Sequence, residues 1–224
     1  MTKVTIVDVG ARVGPRPEWM SVDSEIIGFE PDEAECRRLR AAYPQHTFVP
    51  IALDTEPRRR TFYVTAHDQA SSFYRPKQDV VDRGVVDLAL DHETVVDTTS
   101  LDVWWAEHGR GRTIDLLKLD TQGSELDILK GAVATLAHVP LVLSEVLFNP
   151  FYEDMPLFGD VDRWMRSRGF ELLALQDLNY CWNQLYWCDA YWTRVPMSER
   201  AMEVATRVCG LSLNHPEWWK HADA

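Results

Sequence analysis

The residues able to do chemistry fall in a few short stretches. DVGARVG, at 8–14, sets Asp8 before Gly10 and Gly14, glycines that permit a tight turn and close backbone approach to a ligand. Glu30 ends the apolar run EIIGFE about twenty residues beyond Gly10, where a carboxylate accepts from two ribose hydroxyls. Asp120 ends TIDLLKLD and Glu145 sits in PLVLSEVLF, so both read as acids at strand ends. Lys118 shares a strand face with Asp120 by two-residue alternation, and either pairs with it or neutralises developing charge. His67, in HDQASSFYRPK, is the loop histidine nearest the mouth these ends would form.

The glycine loop lacks the G-x-G-x-x-G of dinucleotide binders and the Gly-Lys-Ser/Thr of a P-loop. It suits a nucleoside without phosphates. Asp8 would repel a pyrophosphate but suits an ammonium group. S-adenosylmethionine, with its ribose, adenine and zwitterionic amino acid, is such a ligand. An NAD- or nucleotide-binding Rossmann protein is the alternative, and the missing glycine disfavours it.

Positioning these groups at one edge requires a layered α/β fold. VTIVDV (4–9), EIIGFE (25–30), HTFVPIAL (46–53), TIDLLKLD (113–120) and PLVLSEVLF (140–148) read as buried parallel strands. Helices are expected at 31–43, with Pro31 in the first turn, and at 123–137, 160–170 and 198–208, the last capped by Ser198. The crossover between the first two strands is compact, with Pro15 at a first-turn position. Arg12 and Trp19 sit where a longer helix would cover a ligand, and are candidates to close the pocket instead. Residues 59–65 and 93–99 alternate like strands of a partly exposed sheet, with a loop at 67–77 between them. Runs at 170–176 and 183–194 suggest an antiparallel hairpin at one edge of a mostly parallel sheet with helices on both faces.

Composition narrows the partners. The 224 residues suit a single domain, with a core at about 3–195 and a C-terminal helical extension over 196–224. A formal net charge of −12 argues against nucleic acid. The run Arg58-Arg59-Arg60 reads as a solvated turn. No apolar run is long enough for membrane insertion, and MTKVTIVDVG reads as a strand rather than a secretory signal, so a cytoplasmic location is expected. Cys36, Cys181, Cys188 and Cys209 lack zinc spacing and read as free thiols, with Cys181 and Cys188 packed in a core. NYCWNQLYWCDAYW (179–192) reads as a packed or interfacial hairpin, with an aromatic wall for a sugar ring as the alternative. HPEWW (215–219) reads as a tail docking on its own domain or on a neighbour.

IDLLKLDTQGSELDILKGA (114–132), together with DVGARVG, IIGFEPDEAECRRL and PLVLSEV, resembles the FkbM-type family of S-adenosylmethionine-dependent O-methyltransferases. The resemblance runs in order from about residue 4 to about residue 194. It implies a Rossmann-like class I methyltransferase fold with a seven-stranded sheet. The implied cofactor set is Asp8, Gly10, Ala11, Gly14, Glu30, Pro31, Ile51, Ala52, Ser71 and Ser72. Glu30 would hold the ribose and Ile51-Ala52 the edge of the adenine, while Asp120 would face the methyl donor or the acceptor hydroxyl. The chain starts almost at its first strand, so a lid would come from 67–77, from 196–224 or from a second subunit.

Methyl transfer to a hydroxyl of a small molecule, natural product or glycan needs in-line positioning and a base for the departing proton. Asp120, Glu145, Lys118 and His67 are the catalytic candidates. A metal-free site is favoured over one in which Asp120 and Glu145 hold Mg²⁺. S-adenosylhomocysteine would be the product. A catalytically inactive S-adenosylmethionine-binding module is the alternative, and a homo-oligomer is left open.

Overall fold

The structure, a computed structural model, describes residues 3–84 and 87–213. Among the described residues, ten strands form two sheets. The larger has seven strands, in the order β3 (Thr47–Val49), β2 (Ser24–Phe29), β1 (Val4–Val9), β7 (Leu116–Leu119), β8 (Leu141–Leu147), β10 (Gln184–Arg194) and β9 (Phe170–Cys181). Its first five strands are parallel, and β10 enters antiparallel to β8 and to β9. This is the parallel sheet with an antiparallel edge hairpin that the sequence implied.

Alternation along the strands divides the core. Val7, Val9, Leu117, Leu119, Val142 and Val146 face α4 (Leu101–His108), α5 (Glu125–Lys130), α6 (Val133–Leu136) and α7 (Phe158–Ser167). Val4, Ile6, Leu116, Leu141 and Leu143 face α1 (Pro17–Met20) and α8 (Glu199–Arg207). Both faces are nearly dry, and each such aliphatic side chain contributes ~1.5–3 kcal/mol by leaving water. Helix α8 therefore covers the sheet, capped as expected by Ser198, whose hydroxyl accepts from the Ala201 N–H at 3.1 Å. Residues 215–219 lie outside the described residues.

Several local expectations are corrected. The stretch 46–53 is two strands rather than one, because Pro50 has no N–H to donate and breaks the ladder. The second piece, β4 (Ala52–Leu53), joins a separate sheet of order β4-β6-β5 with β6 (Leu90–Thr99) and β5 (Arg58–Thr65). Arg58–Arg60 thus lies in a strand and not in a solvated turn. The Arg60 guanidinium bridges Asp54 at 3.0 Å and Asp127 at 3.1 Å and lies over the Phe73 ring. The helix expected over 123–137 splits into α5 and α6 at Gly131, where a Cβ would stand 2.2 Å from the Asp54 carbonyl oxygen. Pro31 precedes α2 (Glu33–Ala42) instead of entering it; Asp32 is the cap, accepting from the Ala34 N–H at 2.8 Å. Pro17, not Pro15, opens α1. The final hairpin is longer than expected, with β9 reaching Cys181. Cys188 is buried in the core, whereas Cys181 is only half-buried.

Candidate active site

The parallel strands end on one side of the sheet, and a cavity of 520 Å³ opens there between the large sheet and the small one. Gly10, Glu30, Pro31, Ile51, Ala52, Ser71, His67, Asp120 and Glu145 line it. Asp8, Ala11, Gly14, Ser72 and Lys118 do not, although they abut residues that do. Phe62, Val64, Thr94 and Val96 of the small sheet form the far wall, and Phe151 and Trp187 close the end near Glu145.

At the first strand end, Gly10 takes φ +82°, and its N–H donates to the Phe29 carbonyl at 3.0 Å. A Cβ at Gly10 would lie 1.8 Å from the Asp120 carbonyl oxygen. This glycine is therefore required where the β1 and β7 ends touch. Gly10→Ala should cost about 2–4 kcal/mol, since backbone must yield and the left-handed conformation is strained. Urea unfolding with an unchanged m-value checks this. Ala11 is buried against Cys36, Leu39 and Phe48, and Gly14 turns toward Tyr43 rather than the cavity.

Beneath this turn is a buried charge cluster. The Lys118 ammonium lies 2.9 Å from Asp8 Oδ1 and 3.4 Å from Asp120 Oδ2, and donates to the Gly10 carbonyl at 3.2 Å. Lys118 thus pairs with two acids rather than one. Burial opposes its charge, yet Asp8 and then Asp120 hold it above the usual lysine range. Burial pushes the Asp8 carboxyl up despite the pull of Lys118. Asp8 serves the loop from below and is 2% exposed.

Glu30 is 5% exposed at the second strand end. Its Oε1 accepts from the Asp32 N–H at 2.9 Å and lies 3.6 Å from Arg12 Nη1. Burial raises its pKa, opposed by that N–H and by Arg12. Ile51, Ala52 and Leu53 supply an apolar strip nearby. Trp19, the other candidate for closing the pocket, is instead in the core between α1 and the sheet.

The opposite end is organised by a residue the sequence reading did not single out. Gln122 follows Asp120 with φ +58°. Its Nε2 donates to Glu145 Oε2 at 2.9 Å and reaches Asp120 Oδ1 at 3.4 Å. Its Oε1 is 3.1 Å from the Tyr152 hydroxyl, which also donates to the Ala70 carbonyl at 2.8 Å. The Gln122 carbonyl accepts from the Ser72 hydroxyl at 2.6 Å. Ser72 and Tyr152 thereby lock the 67–77 loop onto the two carboxylates. Glu125 holds the turn from behind, its Oε1 accepting from the Thr121 N–H at 2.7 Å and the Gly123 N–H at 3.2 Å. The Q and the E of D-T-Q-G-S-E are the signal available in the sequence.

Glu145 forms no ion pair among the described residues, and three acids surround it. Burial raises its carboxyl well above the ordinary glutamate range, and Asp120, Glu125 and Asp189 push the same way. Asp189 is its register partner on β10 and pairs with Arg16 at 2.7 Å. His67 stands exposed at the rim. The aromatic stretch divides: Trp192 is buried, Trp187 borders the cavity and Trp182 is exposed at the hairpin turn. Among the described residues no group of three or more His, Cys, Asp or Glu side chains could hold a metal ion.

Parallel strands ending in a glycine turn, then in a carboxylate, with an antiparallel hairpin at the far edge, define a class I methyltransferase fold. The Methyltransferase FkbM domain matches residues 8–172, and the chain belongs to that family. It is accordingly an S-adenosylmethionine-dependent methyltransferase. A 2-O-methyltransferase, NoeI, of Sinorhizobium fredii is 27% identical over 183 residues, covering 75% of this chain and 73% of the relative. Among solved structures, magnesium protoporphyrin IX methyltransferase (ChlM) of Synechocystis PCC 6803 with bound SAM is similar at a TM-score of 0.49. It is 10% identical, over 86% of this chain and 70% of that one. A TehB-like SAM-dependent methyltransferase of Corynebacterium glutamicum is similar at a TM-score of 0.45. It is 14% identical, over 85% of this chain and 80% of the other.

Proposed function

We propose that the chain moves a methyl group to a hydroxyl of a small molecule, natural product or glycan, with Glu145 as the proton acceptor. The observation that carries this reading is one cavity with Glu30 at one end and the Asp120–Gln122–Glu145 group at the other. The residues suit S-adenosylmethionine: Glu30 takes the ribose hydroxyls, Ile51 and Ala52 edge the adenine, and Gly10 brings bare backbone alongside. Bound there, the cofactor supplies a methyl carbon activated by its sulfonium. Gln122 fixes the Glu145 carboxyl so that one oxygen faces the acceptor, and Trp187 and Phe151 border the acceptor end. Asp120 and Lys118 set the local field. A raised carboxyl pKa favours Glu145 as base, because a base works best when its pKa nears the working pH.

The name of the 2-O-methyltransferase relative supports oxygen as the acceptor atom. A net charge of −12 and acidic cavity walls support a non-nucleic-acid acceptor. Among the described residues no helix is long and apolar enough to cross a membrane, and we read the enzyme as cytoplasmic. The Gln122 amide donating between Asp120 and Glu145 favours metal-free catalysis, since that donor stands between the two carboxylates a cation would need. Radiolabelled methyl transfer across glycans and hydroxylated natural products, with and without EDTA, tests the reading. Label should appear as an O-methyl ether at a rate EDTA leaves unchanged. Activity lost to EDTA and restored by Mg²⁺ would assign the carboxylates to a metal, and label on nitrogen or carbon would refute O-transfer.

A further inference from the structure

Arg12 stands at the cavity mouth and belongs to none of the groups that do chemistry. Its backbone is pinned on both sides. The Ala11 N–H donates to the Phe29 carbonyl at 3.1 Å, and the Arg12 carbonyl accepts from Arg38 Nη2 at 2.7 Å. From this anchor the guanidinium crosses toward the opposite rim. Nη2 and Nε donate to Asp68 Oδ2 at 2.8 and 3.2 Å, while Nη1 lies 3.4 Å from Asp32 Oδ2 and 3.6 Å from Glu30 Oε1.

These contacts differ in strength. The Asp68 side chain is 63% exposed, so its bond to Arg12 is screened by water and readily opened. Glu30 is buried, and Arg12 is its ion-pair partner among the described residues. Asp68 begins the short 3-10 turn Asp68–Ala70, whose far end is tied down by the Tyr152 hydroxyl at 2.8 Å. One arm of the guanidinium thus lies beside Asp32 and the buried Glu30 and the other rests on the exposed Asp68, and all four residues line the cavity.

We propose that Arg12 is a positioning residue for the cofactor, a strap that aims the Glu30 carboxylate and closes the mouth by pairing with Asp68. This rests on the reading of the cavity as an S-adenosylmethionine site. Entry opens the Asp68 contact; its return retains the bound molecule, so the strap acts mainly on the dissociation rate. Closure by a loop contact of this kind commonly sets release rates.

Stopped-flow dissociation of S-adenosylhomocysteine, read by intrinsic tryptophan fluorescence or by displacement, tests the proposal. Calorimetry confirms binding to the wild type, and a thermal melt confirms that each variant is folded. Arg12→Ala should speed release about tenfold and Asp68→Asn about threefold, the smaller change reflecting an exposed pair. Arg12→Lys should restore part of the retention. Release from the wild type should quicken with added salt, and Asp68→Asn should lose that dependence. Rates within twofold of wild type in both variants would overturn the strap. Faster release in Arg12→Ala alone would restrict Arg12 to Glu30 and overturn the closure. Absence of binding to the wild type would instead defeat the cofactor reading beneath it.

Discussion

Glu145→Gln should lower methyl transfer by about 10²–10⁴-fold, the usual contribution of a positioned general base. The substitution keeps shape and leaves an oxygen to accept from the Gln122 amide at 2.9 Å, so the loss reports the missing proton acceptor. The pH dependence gives a second signature. Transfer requires the ionised carboxylate, and the Glu145 pKa is raised above 4.5 by burial and by the neighbouring acids Asp120, Glu125 and Asp189. The wild-type rate should therefore climb with pH through a limb above the ordinary glutamate range, and that limb should be missing from the residual activity. Stability should move the other way. The folded state holds this proton at pH values where the unfolded chain has released it, so stability falls as pH rises from about 4.5 through the folded pKa. A neutral glutamine escapes that cost. At pH 8 the Tm of Glu145→Gln should equal or exceed that of the wild type, which separates lost chemistry from lost folding. Asp120→Asn should also slow turnover, through loss of a charge beside Lys118 at 3.4 Å.

Glu30→Ala should weaken S-adenosylhomocysteine by about 100-fold, the scale expected when two hydrogen bonds to a buried charged acceptor are lost. Glu30→Gln should lose less, because its carbonyl can still accept from the Asp32 N–H. The raised Glu30 pKa sets the pH direction. The ionised carboxylate is the better acceptor, so affinity should fall as pH drops through a value above the ordinary glutamate 4.5. Calorimetric titrations at several pH values check both statements. An affinity for Glu30→Ala equal to that of wild type would remove Glu30 from the ribose site.

The fold was legible where local pattern and tertiary fate coincide. Buried parallel strands read as short apolar runs, and VTIVDV, EIIGFE and PLVLSEVLF are found within a residue or so of their expected limits. Strand ends then place Asp8, Glu30, Asp120 and Glu145 on one side without further information. What local pattern hides is what a strand end faces. Asp8 reads in the sequence as a ligand-facing acid, yet the alternation that puts it beside Lys118 turns it beneath the loop. The role of Gln122 is not local, since it depends on a left-handed backbone and on Tyr152, thirty residues away in sequence. The small sheet was legible in β5 and β6, which alternate as expected at 59–65 and 93–99, but its third strand was hidden for a related reason. Its two-residue strand β4 pairs with β6, and no short-range pattern reports that partner. The break at Gly131 arises from the Asp54 carbonyl packed against it, a contact outside the helix.

The central claim is that the cavity between Glu30 and Glu145 binds S-adenosylmethionine. Its most direct measurement is a calorimetric titration of the wild type and Glu30→Ala with S-adenosylhomocysteine, with NAD as the control ligand. One molecule should bind per wild-type chain, with affinity greatly reduced in Glu30→Ala and no heat from NAD. Silence toward S-adenosylhomocysteine, or saturable binding of NAD in its place, would contradict the claim.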